Sequence, residues 1–229
     1  MNKRYGKIGF SIRTEICRIC KEEYMKLNGF SVPSLSDAMN RFRTMDCLIK
    51  PINENCRFIG TAITVRVRPG DNLMIHKAID VSRAGDIIVI DTGSCYTNAV
   101  WGELMTRSAL EKGIGGVVID GAARDIKEIK GLKIPIFTKY VVPSACDKDG
   151  PGEINEPISC GGIPVIPGDI IVGDENGVAV IPPNLINEVI ENVRIKIEHE
   201  AERIKNINEG IFISNNIDKI IEAKGIVLN

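Results

Sequence analysis

Histidine, tryptophan, an excess charge of either sign and long apolar runs are what this chain has least of. The 229 residues include two histidines and one tryptophan, and 29 basic against 30 acidic residues leave a net charge of −1. Near-neutral charge argues against a polyanion-binding surface, and 44 % hydrophobic residues argue against disorder, so nucleic acid is not an expected partner. The longest aliphatic stretches, such as Ile87-Ile88-Val89-Ile90, fall far short of the roughly 20 apolar residues a membrane-spanning helix needs, so no membrane association is expected. The opening MNKRYGKIGFSIRTE carries positive charge without an apolar run behind it and does not read as a secretory signal. Seven cysteines, an odd number in a chain that needs no staples, fit a reducing compartment, and a cytoplasmic location is expected. Cys17 and Cys20 form a C-x-x-C with no second pair at zinc spacing, so they read as two small side chains on one helix.

What is present is a pattern of alternating elements. A long helix is expected over Thr14 to Leu27, and Ser34-Leu35-Ser36-Asp37 opens another over Leu35 to Phe42. From Thr61, Ile63, Val65 and Val67 alternate with polar residues, the repeat of a strand with one exposed face. A helix from Leu73 to Arg83, an apolar strand Asp86–Asp91, a helix from Glu103 to Lys112 and a strand Gly116–Asp120 follow at β-α-β spacing. Runs such as IIVI and GVVI suit strands of a parallel sheet buried on both faces. A third strand is expected around Ile134–Thr138, with short β segments at Ile163–Ile166, Asp169–Gly173 and Val178–Ile181. Pro182-Pro183 opens a long helix whose apolar stripe is Ile186, Val189, Ile190, Val193 and Ile197. One α/β domain over residues 1–229 is expected.

The chemistry concentrates at two junctions between strand and helix. One runs from Asp91 to the helix opening at Gly102-Glu103-Leu104-Met105, the other from Asp120 to Arg124-Asp125. Ligands of parallel α/β sheets collect at the carboxyl ends of strands, so these loops share a crevice. The amides of Leu104 and Met105 at the helix start suit a small carboxylate or phosphate, and the guanidinium of Arg124 can close on it. Asp125 is a hard oxygen donor suited to Mg²⁺ or Mn²⁺, and Glu103 can reach the same ion through water. Spacing alone leaves the competing reading open, in which Arg124 and Asp125 are a solvated surface pair.

The block GELMTRSALEKGIGGVVIDGAARDIKEIKGLKIPIF (102–137) closely resembles the central motif of the RraA-like family, which includes 4-hydroxy-4-methyl-2-oxoglutarate aldolases and regulators of ribonuclease E activity. SVPSLSDAMNRF (31–42), RPGDNLMIHKAIDVSRAGDIIVID (68–91) and NEPISCGGIPVIPGDIIVGDENGVAVIPP (155–183) extend the resemblance over most of residues 31–183. It implies a single layered α/β/β domain similar to the swivelling phosphohistidine-type fold. Residues 184–229 would then form a C-terminal helix and tail between the subunits of a homotrimer, or of a hexamer. By the same resemblance, Gly102, Leu104, Met105 and Arg124 bind a small 2-keto acid, with Arg124 and Glu103 catalytic. Asp125 holds Mg²⁺ or Mn²⁺, Glu103 acts through water, and a glutamate from the C-terminal helix of a neighbouring subunit completes the shell, with Glu200 the choice and Glu198 and Glu202 the alternatives beside it. The implied reaction is metal-dependent cleavage of a 4-hydroxy-2-oxo acid to pyruvate, with oxaloacetate decarboxylation beside it. Glu103 stands where many aldolases of the family have Asp, and Met105 replaces a smaller or branched residue.

The alternative implied by the same family is a non-catalytic regulator that binds a ribonuclease. Menaquinone-methyltransferase labels also occur among similar proteins, but the glycines of Gly113-Ile114-Gly115-Gly116 precede a strand rather than follow one, which disfavours a nucleotide-type loop. His76 and His199 read as ordinary helix residues rather than phosphate carriers.

Overall fold

A computed structural model describes residues 3–54 and 56–226 of the chain. In chain order the elements are β1 (Arg4–Lys7), β2 (Phe10–Arg13), α1 (Lys21–Tyr24), α2 (Val32–Ala38), β3 (Lys50–Pro51), β4 (Phe58–Val67), α3 (Leu73–Val81), β5 (Ile87–Asp91) and β6 (Ala99–Trp101). Then come α4 (Glu103–Glu111), β7 (Gly116–Ala123), α5 (Ile126–Lys130), β8 (Ile136–Val141), β9 (Gly152–Ile154), β10 (Ile158–Cys160) and β11 (Ile163–Val165). β12 (Ile170–Asp174), β13 (Gly177–Ile181), α6 (Ile186–Asn208) and α7 (Asn215–Ala223) complete the order.

Strands β4, β5, β7 and β8 lie side by side and parallel, with α3, α4 and α5 in the connections between them. The period of two decides which core each side chain enters. Ile88 and Ile90 of β5 and Val117 and Ile119 of β7 face the helices α3 to α5. Ile87, Val89 and Val118 face the other way, onto Ile171, Val178 and Val180 of β12 and β13. The remaining side chains of that hairpin, Ile170, Val172, Ala179 and Ile181, meet Leu35 of α2 and Ile186, Val189, Ile190 and Val193 of α6. The layers therefore run helices, sheet, sheet, helices: the expected α/β/β order with α2 and α6 as an outer layer.

Several local expectations are corrected. Thr14 to Leu27 is not one helix. Residues 4–13 form the hairpin β1–β2, and only Lys21–Tyr24 and a 3₁₀ turn at Met25–Leu27 are helical. Tertiary contacts override helical propensity here: Ile16 and Ile19 reach different cores, and Arg18 makes a forked ion pair with Asp86. Cys17 accordingly lies on an irregular segment and Cys20 just before α1, not on one helix, and all seven thiols are free. The helix at Ser34 starts earlier, at Val32, because Ser31 Oγ accepts the Ser34 N–H.

β4 does not have an exposed face, since Ile63, Val65 and Val67 enter the core beneath α3 to α5 while Phe58 and Ala62 enter the core against β12 and β13. Thr64 is fully buried there and donates its hydroxyl to Glu156 O at 2.6 Å. In α6, Ile197 is 42 % exposed, so the buried stripe stops at Val193. Among the described residues no helix is long and apolar enough to cross a membrane.

Candidate active site

The decisive local feature is β6, which spacing did not reveal, together with the continuation of β7 to Ala123 beyond the expected end at Asp120. β6 pairs in parallel with the last residues of β7, Ala99 against Ala122 and Trp101 against Ala123. The residue following each strand end is thereby brought alongside the other, and the Arg124 N–H donates to Trp101 O at 3.0 Å. Gly102-Glu103 and Arg124-Asp125 become neighbours through main-chain pairing.

Helix α4 begins at Glu103 behind Gly102, which has no side chain to cap it. Asp125 supplies the cap from the other junction: its Oδ2 accepts the Glu103 N–H at 3.1 Å. Asp125 sits in the left-handed region (φ 60°), which a short polar side chain tolerates and which turns the carboxylate back toward α4. A Cβ on Gly102 would lie 2.5 Å from Asp125 Oδ2, so only glycine permits this approach. Arg124 Nε stands 3.6 Å from the same oxygen, while Asp125 Oδ1 accepts no hydrogen bond among the described residues. The N–H groups of Leu104 and Met105 likewise have no acceptor, as the first turn of a helix leaves them. The Trp101 indole N–H donates to Thr106 Oγ1 at 2.8 Å, and that hydroxyl donates to Gly102 O, fixing the turn from behind.

The side chains of the helix opening point in different directions. Leu104 is exposed, whereas Met105 is buried, and its Sδ lies 3.5 Å from Asn72 Nδ2. The departure at Met105 is therefore absorbed by the core. The carboxylate of Glu103 is held by Arg107 one turn along.

These residues line a cleft of about 480 Å³. Its far wall holds Asn72, His76, Cys146 and Lys148, none of which sequence reasoning placed here. His76 stands on α3 as expected, and its partial burial, aided by the charge of Lys148, holds its pKa below the usual value. Burial raises the Cys146 thiol above the usual range. The loop bearing both Cys146 and Lys148 is fastened by buried Asp71, whose Oδ2 accepts the N–H groups of Asp149 (2.8 Å) and Gly150 (2.6 Å). No spacing signal could have found this wall, because it is assembled by the bridges Asp71–Asp147 and Ala99–Ala145 between distant segments.

Glu200 lies on α6 and pairs with Lys196, which also reaches Asp37. It does not join Asp125 and Glu103 within one chain. Among the described residues no group of three His, Cys, Asp or Glu side chains is placed to hold a metal ion.

The family model for RraA-like proteins (Aldolase/RraA) matches residues 32–180. The chain belongs to the RraA-like family. A protein of Halalkalibacterium halodurans, named provisionally as a 4-hydroxy-4-methyl-2-oxoglutarate aldolase, is 42 % identical over 177 residues, covering 77 % of this chain and 84 % of that one. Among solved structures, an uncharacterised protein of Pseudomonas syringae superposes with a TM-score of 0.73 at 28 % identity, covering 85 % of this chain and 96 % of the other. The RNA-processing inhibitor RraA of Thermus thermophilus superposes with a TM-score of 0.62 at 30 % identity, covering 67 % and 93 %. Chains named as aldolases are thus similar to this one in sequence, and a chain named as an RNA-processing inhibitor is similar to it in fold.

Proposed function

We propose that this RraA-like protein is a divalent-metal-dependent lyase that cleaves a 4-hydroxy-2-oxo acid, of the 4-hydroxy-4-methyl-2-oxoglutarate type, to pyruvate, with oxaloacetate decarboxylation as a side activity. The observation that carries this reading is the juxtaposition of the Arg124-Asp125 pair with the two unpartnered amides of Leu104 and Met105.

The residues present fit Mg²⁺ or Mn²⁺. Asp125 offers a free carboxylate oxygen, the missing side chain at Gly102 lets that carboxylate lie against the start of α4, and Glu103 borders the same cleft. Hard oxygen donors in small number suit ions that keep several waters. Such an ion supplies Lewis acidity at the keto oxygen of a chelating 2-oxo acid.

The chain's own groups do the rest. The N–H groups of Leu104 and Met105 hold the carboxylate at the positive end of α4. Arg124 donates to the keto oxygen and stabilises the negative charge that grows there as the C3–C4 bond breaks. The electron pair of that bond moves to C3, which becomes the methyl group of pyruvate on receiving, through a water, the proton that Glu103 has taken from the 4-hydroxyl. The 4-hydroxyl loses its proton, which Glu103 takes up through a water, and C4 leaves as a carbonyl.

Glu200 of the partner subunit fits as the third carboxylate. On α6, Ile190, Val193, Ile197, Glu200, Ile204 and Ile207 recur at intervals of three and four, so Glu200 is the one carboxylate within an apolar seam. Ile197, Ile204 and Ile207 are 42, 58 and 44 % exposed, a face suited to a second copy within a homotrimer, or within a hexamer built from trimers. The seven free thiols agree with a cytoplasmic enzyme.

The test is pyruvate formation from 4-hydroxy-4-methyl-2-oxoglutarate and from oxaloacetate, followed with lactate dehydrogenase, with Mg²⁺, Mn²⁺ or EDTA and with enzyme-free controls. EDTA-sensitive turnover above background is expected. Absence of turnover from folded protein that binds a ribonuclease tightly would replace this reading with the regulatory one.

A further inference from the structure

Glu103 does not face the cleft as a free carboxylate. Its Oε1 accepts both Nε (2.9 Å) and an Nη (2.7 Å) of Arg107, one turn along α4. Glu103 Oε2 accepts nothing among the described residues, and Arg107 makes no other ion pair there. The Arg107 side chain is 58 % exposed and that of Glu103 28 % exposed. An exposed pair at this spacing contributes little to stability, so it is a poor explanation of the fold. Its location gives it a different consequence, because Glu103 is the residue whose N–H is held by Asp125 and whose side chain borders the cleft.

We propose that Arg107 is a positioning residue that sets how tightly the cleft holds a divalent cation. This rests on the cation site at Asp125 inferred above. In the free protein Arg107 neutralises Glu103 and occupies its Oε1; when a cation binds, Glu103 yields this pair to the cation's hydration shell. Two effects have the same sign. The guanidinium competes for the carboxylate, and its positive charge opposes the incoming dication. Removing Arg107 should therefore tighten cation binding, although it removes a neighbour of a binding residue. A structural role predicts the reverse.

The experiment titrates Mn²⁺ into the full-length protein without substrate and reads free Mn²⁺ by electron paramagnetic resonance, so turnover plays no part. Arg107→Gln, an exposed helix position filled by a good helix former, is expected to lower the Mn²⁺ Kd about three- to fivefold at low ionic strength. The gain should shrink in about 0.5 M KCl, where surface charges are screened within a few ångströms. Arg107→Lys keeps the charge and the helical pairing and should stay within about twofold of the parent protein. In a Glu103→Gln background the effect of Arg107→Gln should fall to less than half.

Unchanged or weaker binding by Arg107→Gln overturns the proposal. An equally large gain in the Glu103→Gln background also overturns it, since Arg107 would then act as a plain charge. Asp125→Asn separates this from the broader reading: if it binds Mn²⁺ like the parent, or if the parent binds none, the cation site and this inference fall together. If Asp125→Asn loses Mn²⁺ while Arg107→Gln gains nothing, only the role of Arg107 falls.

Discussion

Two groups of charged side chains stand near the carboxyl-terminal ends of the same parallel strands, and they differ in how fully their hydrogen-bonding capacity is used. On β8, the three ammonium hydrogens of Lys139 meet three acceptors: Asp46 Oδ2 at 2.7 Å, Ser94 Oγ at 3.1 Å and Asp120 Oδ1 at 3.3 Å. Asp120 also accepts the Ser94 hydroxyl at 2.5 Å and the Gly161 N–H at 2.7 Å. The side chains of Lys139 and Asp120 are 10 and 9 % exposed. Arg124 and Asp125 are 44 and 38 % exposed, 3.6 Å apart, beside two amides without acceptors. A saturated buried cluster leaves nothing for a ligand and serves the fold. An open cluster on a rigid frame retains donors and a carboxylate oxygen for a ligand. Residue type does not separate the two, since both combine a basic side chain with aspartate.

The sharpest way to break this comparison is to truncate one basic residue from each cluster. Arg124→Ala should lower kcat/KM for pyruvate release by about 1,000-fold with little change in melting temperature, as loss of a donor to growing negative charge requires. A fall in stability with activity retained would make Arg124 structural. Lys139→Met should do the opposite, costing about 3 kcal/mol of unfolding free energy in urea titrations because it strands Asp120 among buried groups. Loss of turnover with unchanged stability would move Lys139 to the functional side.

A smaller effect tests the frame instead of the charges. Gly102→Ala places a methyl against Asp125 Oδ2 and should reduce turnover about 100-fold by displacing that carboxylate, while circular dichroism stays unchanged. Normal turnover would show that the approach of Gly102 to Asp125 does not matter.

The smallest effect is the pH dependence of the saturated cluster. The Leu48 N–H, followed by Lys139, holds Asp46 below the usual carboxylate range. Burial opposes the charge of Lys139, but Asp46 and Asp120 outweigh it and raise its pKa. A depressed carboxylate contributes stability above its unfolded pKa of about 3.9 and loses it as pH falls through the folded value. A raised lysine contributes below about 10.4 and loses it as pH rises through its folded value. The cluster's own contribution, read as the difference in melting temperature between the parent protein and Lys139→Met, should thus be level from about pH 5 to 9 and shrink outside that window. Equal slopes in both proteins would remove the cluster from the explanation.

Much of the frame was legible because its signals are local. IIVI and GVVI read as doubly buried strands, and the stripe Ile186 to Val193 reads as a helix face, since periodicity reports the side on which a neighbour lies. The residues 14–20 were not legible. Their conformation follows from Arg18 reaching Asp86 and from Ile16 and Ile19 entering separate cores, contacts at long sequence separation. The same division runs through the site. Gly102 to Met105 and Arg124-Asp125 stand out as motifs, whereas Asn72, His76, Cys146 and Lys148 do not, because Asp71 and two isolated bridges bring them there.

By itself the sequence determined the α/β alternation, the membership of residues 32–180 in the RraA-like family and the residue types gathered at two helix openings. Hydrophobic period and motif are properties of short stretches of chain, and short stretches carry them unaided. The tertiary structure decided which charges are saturated and which remain open. It did so through the pairing of β6 with the end of β7, the left-handed turn at Asp125 and the burial of Lys139. Hydrogen-bond saturation depends on partners from distant parts of the chain, and only the folded backbone brings those partners within reach.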